Sequence, residues 1–569
     1  MKTEMNVEVR LLSSLAKVFP RKAPEPPKKE WLTALGGETI SFQVAYRQHE
    51  GGSRSWAQLQ VSMPDVAQVQ IRRVRNVPGY ISAIFKTDDG YLSSDDGLFP
   101  DLLEPMDSHM LPLVPGRWQC IWVDITVPSG AMPGRYPISV AIVNSSETSQ
   151  DNEESHSNKD LHSNLKVSVE TSFEILAAEL PTLPIPRTMW FHTDCLAQYY
   201  GVDVFSEKHW EIIENFAACA VQHGMNALLT PIHTPPLDTE VGGERLTTQL
   251  VDVAVAKDGK YIFGFEKLDR WVQMCRRVGV EYYEIAHLFT QWGAKHAPKI
   301  MGTKNGEYVR LFGWETDSIG GEYAGYLRQM LPALIGKLKE WGIADVTFFH
   351  ISDEPSIEHI ETYKKAREIV APLLAGFKIT DALGNYDFYK QGVVTVPIPA
   401  VNHIEPFLEG NVPELWTYFC CSQSYKVPNH FFMMPSYRNR VLGVLMYKYN
   451  IAGFLHWGYN FYNSMHSIYP VDPFRVTDAD GAFPSGDAFI VYPGPEGKPL
   501  ASLRLMVAQE AFNDFRALKL LEELAGRDVV LGLIDEGLEK PITFSDFPQC
   551  DEYLLELRLR VNEEIRKLL

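Results

Sequence analysis

The sequence predicts an antiparallel β-sandwich followed by a (β/α)8 barrel of the TIM kind, with a helical segment at the C-terminus. Three observations predict it. Short β-prone runs with period-two alternation and Pro-Gly punctuation fill about the first 180 residues. A Pro-rich seam follows, Pro181-Thr182-Leu183-Pro184-Ile185-Pro186, and beyond it strand-like apolar runs alternate with amphipathic helical stretches. At 569 residues the chain exceeds what a single core supports, so the expected division is 1–185, 186–497 and 498–569.

In the first part, the runs 39–46 and 120–127 alternate as half-buried strands do, and Pro133-Gly134-Arg135-Tyr136 marks a turn. Residues 144–164 are mostly Ser, Asn, Glu and Asp, which cannot form a core, and are expected to be a mobile hairpin loop. In the second part, eight candidate strands fall at 189–192, 225–229, 282–286, 346–351, 377–380, 393–396, 416–419 and 453–457. Helical patterns at 210–223, 322–341 and 359–374 lie between them. An open doubly wound sheet is the weaker alternative to a barrel. Helices are expected over 501–524 and from 551 to the end.

A net charge of −19 with no Lys/Arg-rich run argues against nucleic acid as a partner. No run approaches the roughly 20 apolar residues of a membrane span, and the first residues lack the layout of a secretory signal. Seven cysteines, with no Cys-x-x-Cys pair and no matching His spacing, read as reduced thiols and give no metal site. A cytoplasmic chain without metal or cofactor is the expectation. The aromatic content of 12%, with 12 Trp, suits neutral sugars, whose flat faces stack on rings.

Barrel enzymes carry their chemistry where strands end and loops begin. The fourth candidate strand ends in His350-Ile351-Ser352-Asp353-Glu354-Pro355. Two acids closing an apolar strand are candidate catalytic groups; the plainer reading makes Asp353 a helix cap and Glu354 half of an ion pair. Pro355 disfavours the α region for Glu354. Successive strand side chains point to opposite faces, so both acids serve one site only where the strand has begun to curl. Other strand ends offer candidate sugar-binding side chains: Trp190 and His192, His287 with Trp292 nearby, Asp381, and His456, Trp457, Tyr459, Asn460 and Tyr462. His223 and Asn226 are expected to be turn and packing residues, and Cys420 and Cys421 buried thiols.

Asp353-Glu354-Pro355, Gly-Phe-Leu-His-Trp-Gly-Tyr-Asn at 453–460, and Gly-Asp-Ala-Phe-Ile-Val-Tyr-Pro-Gly at 486–494 occur in this order, with Leu503-Arg504 after them. Together they resemble glycoside hydrolase family 123 and the DUF4091 group. The resemblance implies an exo-acting, retaining β-N-acetylgalactosaminidase; the expected cytoplasmic setting implies a small oligosaccharide or glycoconjugate as its substrate, and a homo-oligomer is left open. It implies that Glu354 is the general acid/base and that Asp353 holds the substrate's 2-acetamido group as its oxygen attacks, giving an oxazolinium intermediate. Adjacency suits this chemistry: a carboxylate nucleophile stands about 5 to 5.5 Å across the bond from the acid, whereas a nucleophile supplied by the substrate needs both groups on one side. Ionised Asp353 nearby would favour a proton on Glu354. His456 departs from the Arg expected before the Trp, which bears on sugar preference. Two other readings stay open: a glycosidase for another β-hexosaminide or an unacetylated sugar, with Asp381 as a second carboxylate, and a non-catalytic carbohydrate-binding protein.

Overall fold

Residues 7–29, 31–50, 53–106, 108–144 and 166–569 are described by the computed structural model; beyond Asn144, the hairpin loop expected over 144–164 lies outside them. Alternating burial along the N-terminal strands, as in Ser55–Ser62, turns one face of each sheet inward. One sheet orders Val7–Ser13, Thr39–Gln48, Gln119–Thr126, Gln68–Gly79 and Gly97–Pro105. The other orders Thr33–Gly36, Lys166–Glu179, Gly134–Asn144, Ser55–Ser62 and Met110–Leu113. All neighbours are antiparallel except Thr33–Gly36 against Lys166–Glu179. The inward residues, among them Phe42, Ile121, Val123, Val140 and Phe173, make one apolar core.

Eight parallel strands make the barrel: β1 (Arg187–Met189), β2 (Ala227–Thr230), β3 (Tyr282–Ile285), β4 (Thr347–Phe349), β5 (Lys378–Leu383), β6 (Val396–Pro399), β7 (Trp416–Phe419) and β8 (Gly453–His456). They follow the order β6-β5-β4-β3-β2-β1-β8-β7. The sheet closes between β6 and β7 through a single bridge, Ala400 to Tyr418, supported by the Thr417 hydroxyl donating to the Pro399 carbonyl at 3.0 Å. Pro397 and Pro399 have no N–H, so this edge lacks two ladder donors. Inside, Trp416 lies against Gly453, where a Cβ would come within 2.2 Å of the indole. The close approach accounts for a glycine opening β8.

Two departures from the sequence reading have local causes. The sixth strand was expected at 393–396 and starts instead at Val396, because the Val393 and Val394 N–H groups both donate to the Phe388 carbonyl, closing the short helix Asp387–Lys390. A four-stranded sheet, Asp252–Val255, Tyr261–Gly264, Ile300–Lys304 and Glu307–Phe312, grows from the loops after β2 and β3 and was not anticipated. One of its hairpins turns on Asn305-Gly306, both at positive φ, the signature of a tight hairpin turn.

Helices Glu207–Gln222, Glu266–Val278, Gly321–Glu340, Ile360–Val370 and Tyr437–Lys448 surround the barrel. Helix Leu503–Ala525 packs on Tyr437–Lys448 and occupies the outer layer after β8. Among the described residues, no helix is long and apolar enough to cross a membrane.

The sandwich docks on the barrel through a buried arginine. Arg504 donates to both carboxylate oxygens of Asp101 (2.8 and 3.0 Å) and to the carbonyls of Gly486 and Phe489, while the Tyr492 hydroxyl donates to Asp101 at 2.6 Å. The 486–494 segment thus joins sandwich, barrel and last helices, and Arg504 and Asp101 are both nearly inaccessible. Removing one member of such a pair strands a buried charge. Asp101→Ala is expected to cost about 3–5 kcal/mol, read as a clear fall in the thermal midpoint; an unchanged midpoint would show that the pair does not hold the two parts together.

Candidate active site

Beyond Phe349, where β4 ends, the chain stays fastened to its neighbours. Leu288 and Phe289 donate N–H groups to the carbonyls of His350 and Ile351 (3.1 and 3.0 Å), and the Ser352 hydroxyl donates to the Thr290 carbonyl. Trp292 N–H then donates to the Asp353 carbonyl at 2.8 Å, and Glu354 N–H to the Ala382 carbonyl at 3.2 Å. Between these anchors Glu354 takes φ +41°. Pro355 disfavours the right-handed helical region, and the backbone turns to the left-handed side instead of extending. Such a conformation costs about 1–3 kcal/mol in a non-glycine residue and persists only where its surroundings impose it. The turn brings Asp353 and Glu354 into one cavity.

That cavity, of about 130 Å3, opens at the carboxyl ends of the strands. Trp190 and Trp457 line it with the two acids, as do Tyr418 and Cys420 at the end of β7. The Tyr418 hydroxyl donates to Glu354 Oε1 at 2.5 Å, and the Cys420 Sγ stands 3.8 Å from the same oxygen. Among the described residues Glu354 Oε2 and the Asp353 carboxyl have no hydrogen-bond partner, so both are free for a ligand. The loop after β3 reaches the site because Gly293, at φ +118°, passes the His359 ring so closely that a Cβ would lie 2.6 Å from it.

Asp353 is partly open to the cavity yet shielded from bulk water. Burial, reinforced by the charges of Glu354, Asp381 and Asp238 and opposed by His350, pushes its carboxyl well above the usual range. The sequence reading put ionised Asp353 beside a protonated Glu354; the structure places a strong upward push on Asp353.

Beneath the cavity floor lies a fully buried ionic chain. His350 bonds Glu284 at 2.7 Å and Asp381 at 3.3 Å; burial works against its charge, but these two carboxylates raise it to about 10, so it is an imidazolium. Glu284 also accepts the Trp190 indole N–H at 2.8 Å and the Thr188 hydroxyl. Strands β1, β3, β4 and β5 are thereby tied together under the site, and Trp190 is fixed in its wall.

The family model described as glycoside hydrolase 123, catalytic domain, matches residues 190–521, more than half of the chain. The chain belongs to glycoside hydrolase family 123. A family 123 glycoside hydrolase from Clostridium perfringens, whose structural analysis concerned glycolipid glycan hydrolysis, superimposes with a TM-score of 0.68 over 99% of this chain and 97% of that one, at 15% identity. At that identity the likeness is one of fold, and it extends through the sandwich as well as the barrel. AvmM, which catalyses macrocyclization in alchivemycin A biosynthesis, aligns with 32% of this chain and 93% of its own at 11% identity, with a TM-score of 0.17, too low to carry an argument. Comparison with curated proteins gives no match.

For a family 123 glycoside hydrolase, most of the other sequence candidates stand behind the wall of the cavity. Tyr459 stacks on Phe191 and donates its hydroxyl to the Phe216 carbonyl; Tyr462 donates to the Val491 carbonyl. Asn460 clamps the His192 backbone, accepting its N–H and donating to its carbonyl. His192 itself is a neutral ring, held down to about 3 by burial and Arg245, between Arg245 and the Trp457 carbonyl. The two nitrogens of His456 face the carbonyls of Phe419 and Asp487, and burial holds it down to about 4, so this substitution for an expected Arg ties β7 to the 486–494 segment away from the cavity. Asp381 is consumed by His350, Tyr363 and the Ile351 N–H, and His287 stacks on His350 with ring centroids 4.5 Å apart. Each polar tip is turned to a protein partner, or in His287 to a buried ring, that the sequence does not reveal.

The sequence reading passed over Asp238, Gln291, Tyr418, Cys421 and Phe483 as lining residues. Tyr418 was detectable: it alternates with Trp416 on the inward face of β7, one residue from the strand's end. Asp238 and Gln291 lie in loops well past β2 and β3, where no periodicity points.

Two clusters have metal-ligand spacing: His287, His350 and Asp381, and His430, His456 and Asp487. In the first, both nitrogens of the His350 imidazolium carry protons and none has a lone pair to offer. In the second, both nitrogens of His456 face carbonyl oxygens, and the charges of Arg504 and Lys17 act on His430. Neither cluster therefore offers three free donor atoms among the described residues.

The raised Asp353 couples stability to pH. Its carboxyl loses its proton more readily unfolded than folded, so its contribution is full below the ordinary carboxylate range and is lost as pH rises toward the raised folded value. Asp353→Asn, with no charge to bury, is expected to be more stable than the wild type at pH 7 by about 1–2 kcal/mol, with the gain vanishing below about pH 4. Thermal unfolding at several pH values checks this; a variant that melts with or below the wild type at pH 7 contradicts it.

Proposed function

We propose that this family 123 glycoside hydrolase releases terminal β-linked N-acetylgalactosamine with retention, the substrate's own acetamido oxygen acting as nucleophile. The observation that carries the reading is the convergence of Asp353 and Glu354 on one cavity from a single turn, which suits two tasks on one side of a sugar. Glu354, with Oε1 engaged by Tyr418, presents Oε2 as the oxygen that protonates the leaving group and later takes a proton from water. Asp353 receives the amide N–H and steadies the positive charge of the oxazolinium. Both interactions favour its ionised form, against the upward push of burial.

Three carboxylates and no Lys, Arg or His line the cavity among the described residues, which favours a neutral sugar over a uronic, sialic or sulfated one. Trp190, Trp292, Trp457 and Phe483 supply apolar faces for the ring. Asp381 is engaged beneath the floor and lines no part of the cavity, which weakens the reading that uses it as a nucleophile. All seven cysteines are free thiols, in keeping with a reducing, cytoplasmic setting and a small glycoconjugate or oligosaccharide as substrate.

Glu354→Gln is expected to lower kcat on p-nitrophenyl β-N-acetylgalactosaminide by about 10²- to 10⁴-fold. The loss should shrink on a 2,4-dinitrophenyl leaving group, which needs little protonation. Equal rates in wild type and variant would remove Glu354 from the mechanism.

A further inference from the structure

Two hydrogen-bond acceptors in the cavity wall lack donors. Gln291, in the loop after β3, is 5% exposed and lines the cavity. Its Nε2 donates to the Thr239 carbonyl at 3.0 Å, which fixes the amide's orientation and leaves Oε1 buried without a partner among the described residues. A buried amide oxygen left unpaired is costly, and it is explained when a ligand supplies the missing donor.

Asp238, preceding Thr239 in the loop after β2, is the second acceptor. Its Oδ2 accepts the His466 N–H at 2.9 Å and its carbonyl accepts the Ser467 hydroxyl at 2.7 Å. Clamped from both ends, Asp238 is held at φ +40°, against a segment whose His466 and Ser467 are themselves at φ +58° and +55°. Its Oδ1 accepts no hydrogen bond among the described residues, and the side chain lines the cavity. A strained backbone held from two sides fixes the direction of this carboxylate, as a recognition group requires.

We propose that Asp238 and Gln291 are the specificity-determining residues of the sugar site, each accepting a hydrogen bond from a ring or exocyclic hydroxyl of the bound hexosamine. This rests on the glycosidase reading given above. Both groups only accept on their free side, so they demand donors, and a hydroxyl supplies one while keeping lone pairs for water. A deoxy or O-methyl position leaves the acceptor bare, which a site built around hydrogen bonds penalises more than an apolar pocket penalises a missing methylene.

The test measures kcat/KM for p-nitrophenyl β-N-acetylgalactosaminide and its 3-, 4- and 6-deoxy analogues with wild type, Asp238→Asn and Gln291→Leu. Asn at 238 keeps an oxygen for the His466 N–H while presenting an NH2 to the sugar, so the loop is retained. Wild type is expected to lose about 10- to 100-fold on the deoxy analogue that lacks the hydroxyl read by Asp238. Asp238→Asn should lose a similar factor on the parent sugar yet separate parent from that analogue by less than about 3-fold; Gln291→Leu should do the same for its own hydroxyl. Variants that lower every substrate alike, or none, overturn the inference and assign the two residues to holding loops. Should wild type hydrolyse only sugars without an acetamido group, the proposed function falls, and the deoxy series of that sugar still decides the role of the wall.

Discussion

Two carboxyl groups on consecutive residues meet in one cavity because the backbone between them turns through the left-handed region at Glu354. In a regular strand they would point to opposite faces, one into the barrel and one into its outer layer. The turn is imposed from three sides: Trp292 N–H holds the Asp353 carbonyl, the Ala382 carbonyl takes the Glu354 N–H, and Pro355 disfavours the right-handed alternative. An enzyme that uses one acid to orient and its neighbour to donate needs this local strain, and the surrounding barrel makes it affordable.

The residues beneath the site are held in place by one another in turn. Trp190 forms part of the wall because Glu284 holds its indole, Glu284 is bonded to the His350 imidazolium, and that imidazolium is bonded in turn to Asp381. A buried ion chain is a weak source of net stability, but it ties four strands in a fixed register under the chemistry. Its charge also bears on Asp353, partly offsetting the repulsion of the neighbouring acids. The proposed roles of the pair rely on this background of opposed charges as much as on the pair itself.

The barrel was legible in the sequence because strands buried on both faces are continuous apolar runs, and β7 falls where its run predicts. β6 was misplaced by three residues, since Val393 and Val394 are apolar for packing while their N–H groups close a helix. At the site, adjacent acids after an apolar strand stood out, as did Trp190 and Trp457 at strand ends. Tyr459, Asn460, Tyr462, His192 and His456 looked equally suited to a sugar, but their polar atoms are spent on backbone partners from distant segments. Conversely, Asp238 and Gln291 enter the cavity from loops whose course depends on tertiary contacts such as the His466 clamp.

The proposed mechanism requires a nucleophile that the substrate carries. The most direct measurement is the dependence of kcat/KM on fluorination of the acetamido group, through mono-, di- and trifluoroacetyl substrates that share one leaving group. Each fluorine withdraws electrons from the carbonyl oxygen, so the rate should fall steeply and steadily along the series. A rate indifferent to fluorination would contradict the account and move the nucleophile to the protein, with Asp238 as the remaining carboxylate lining the cavity.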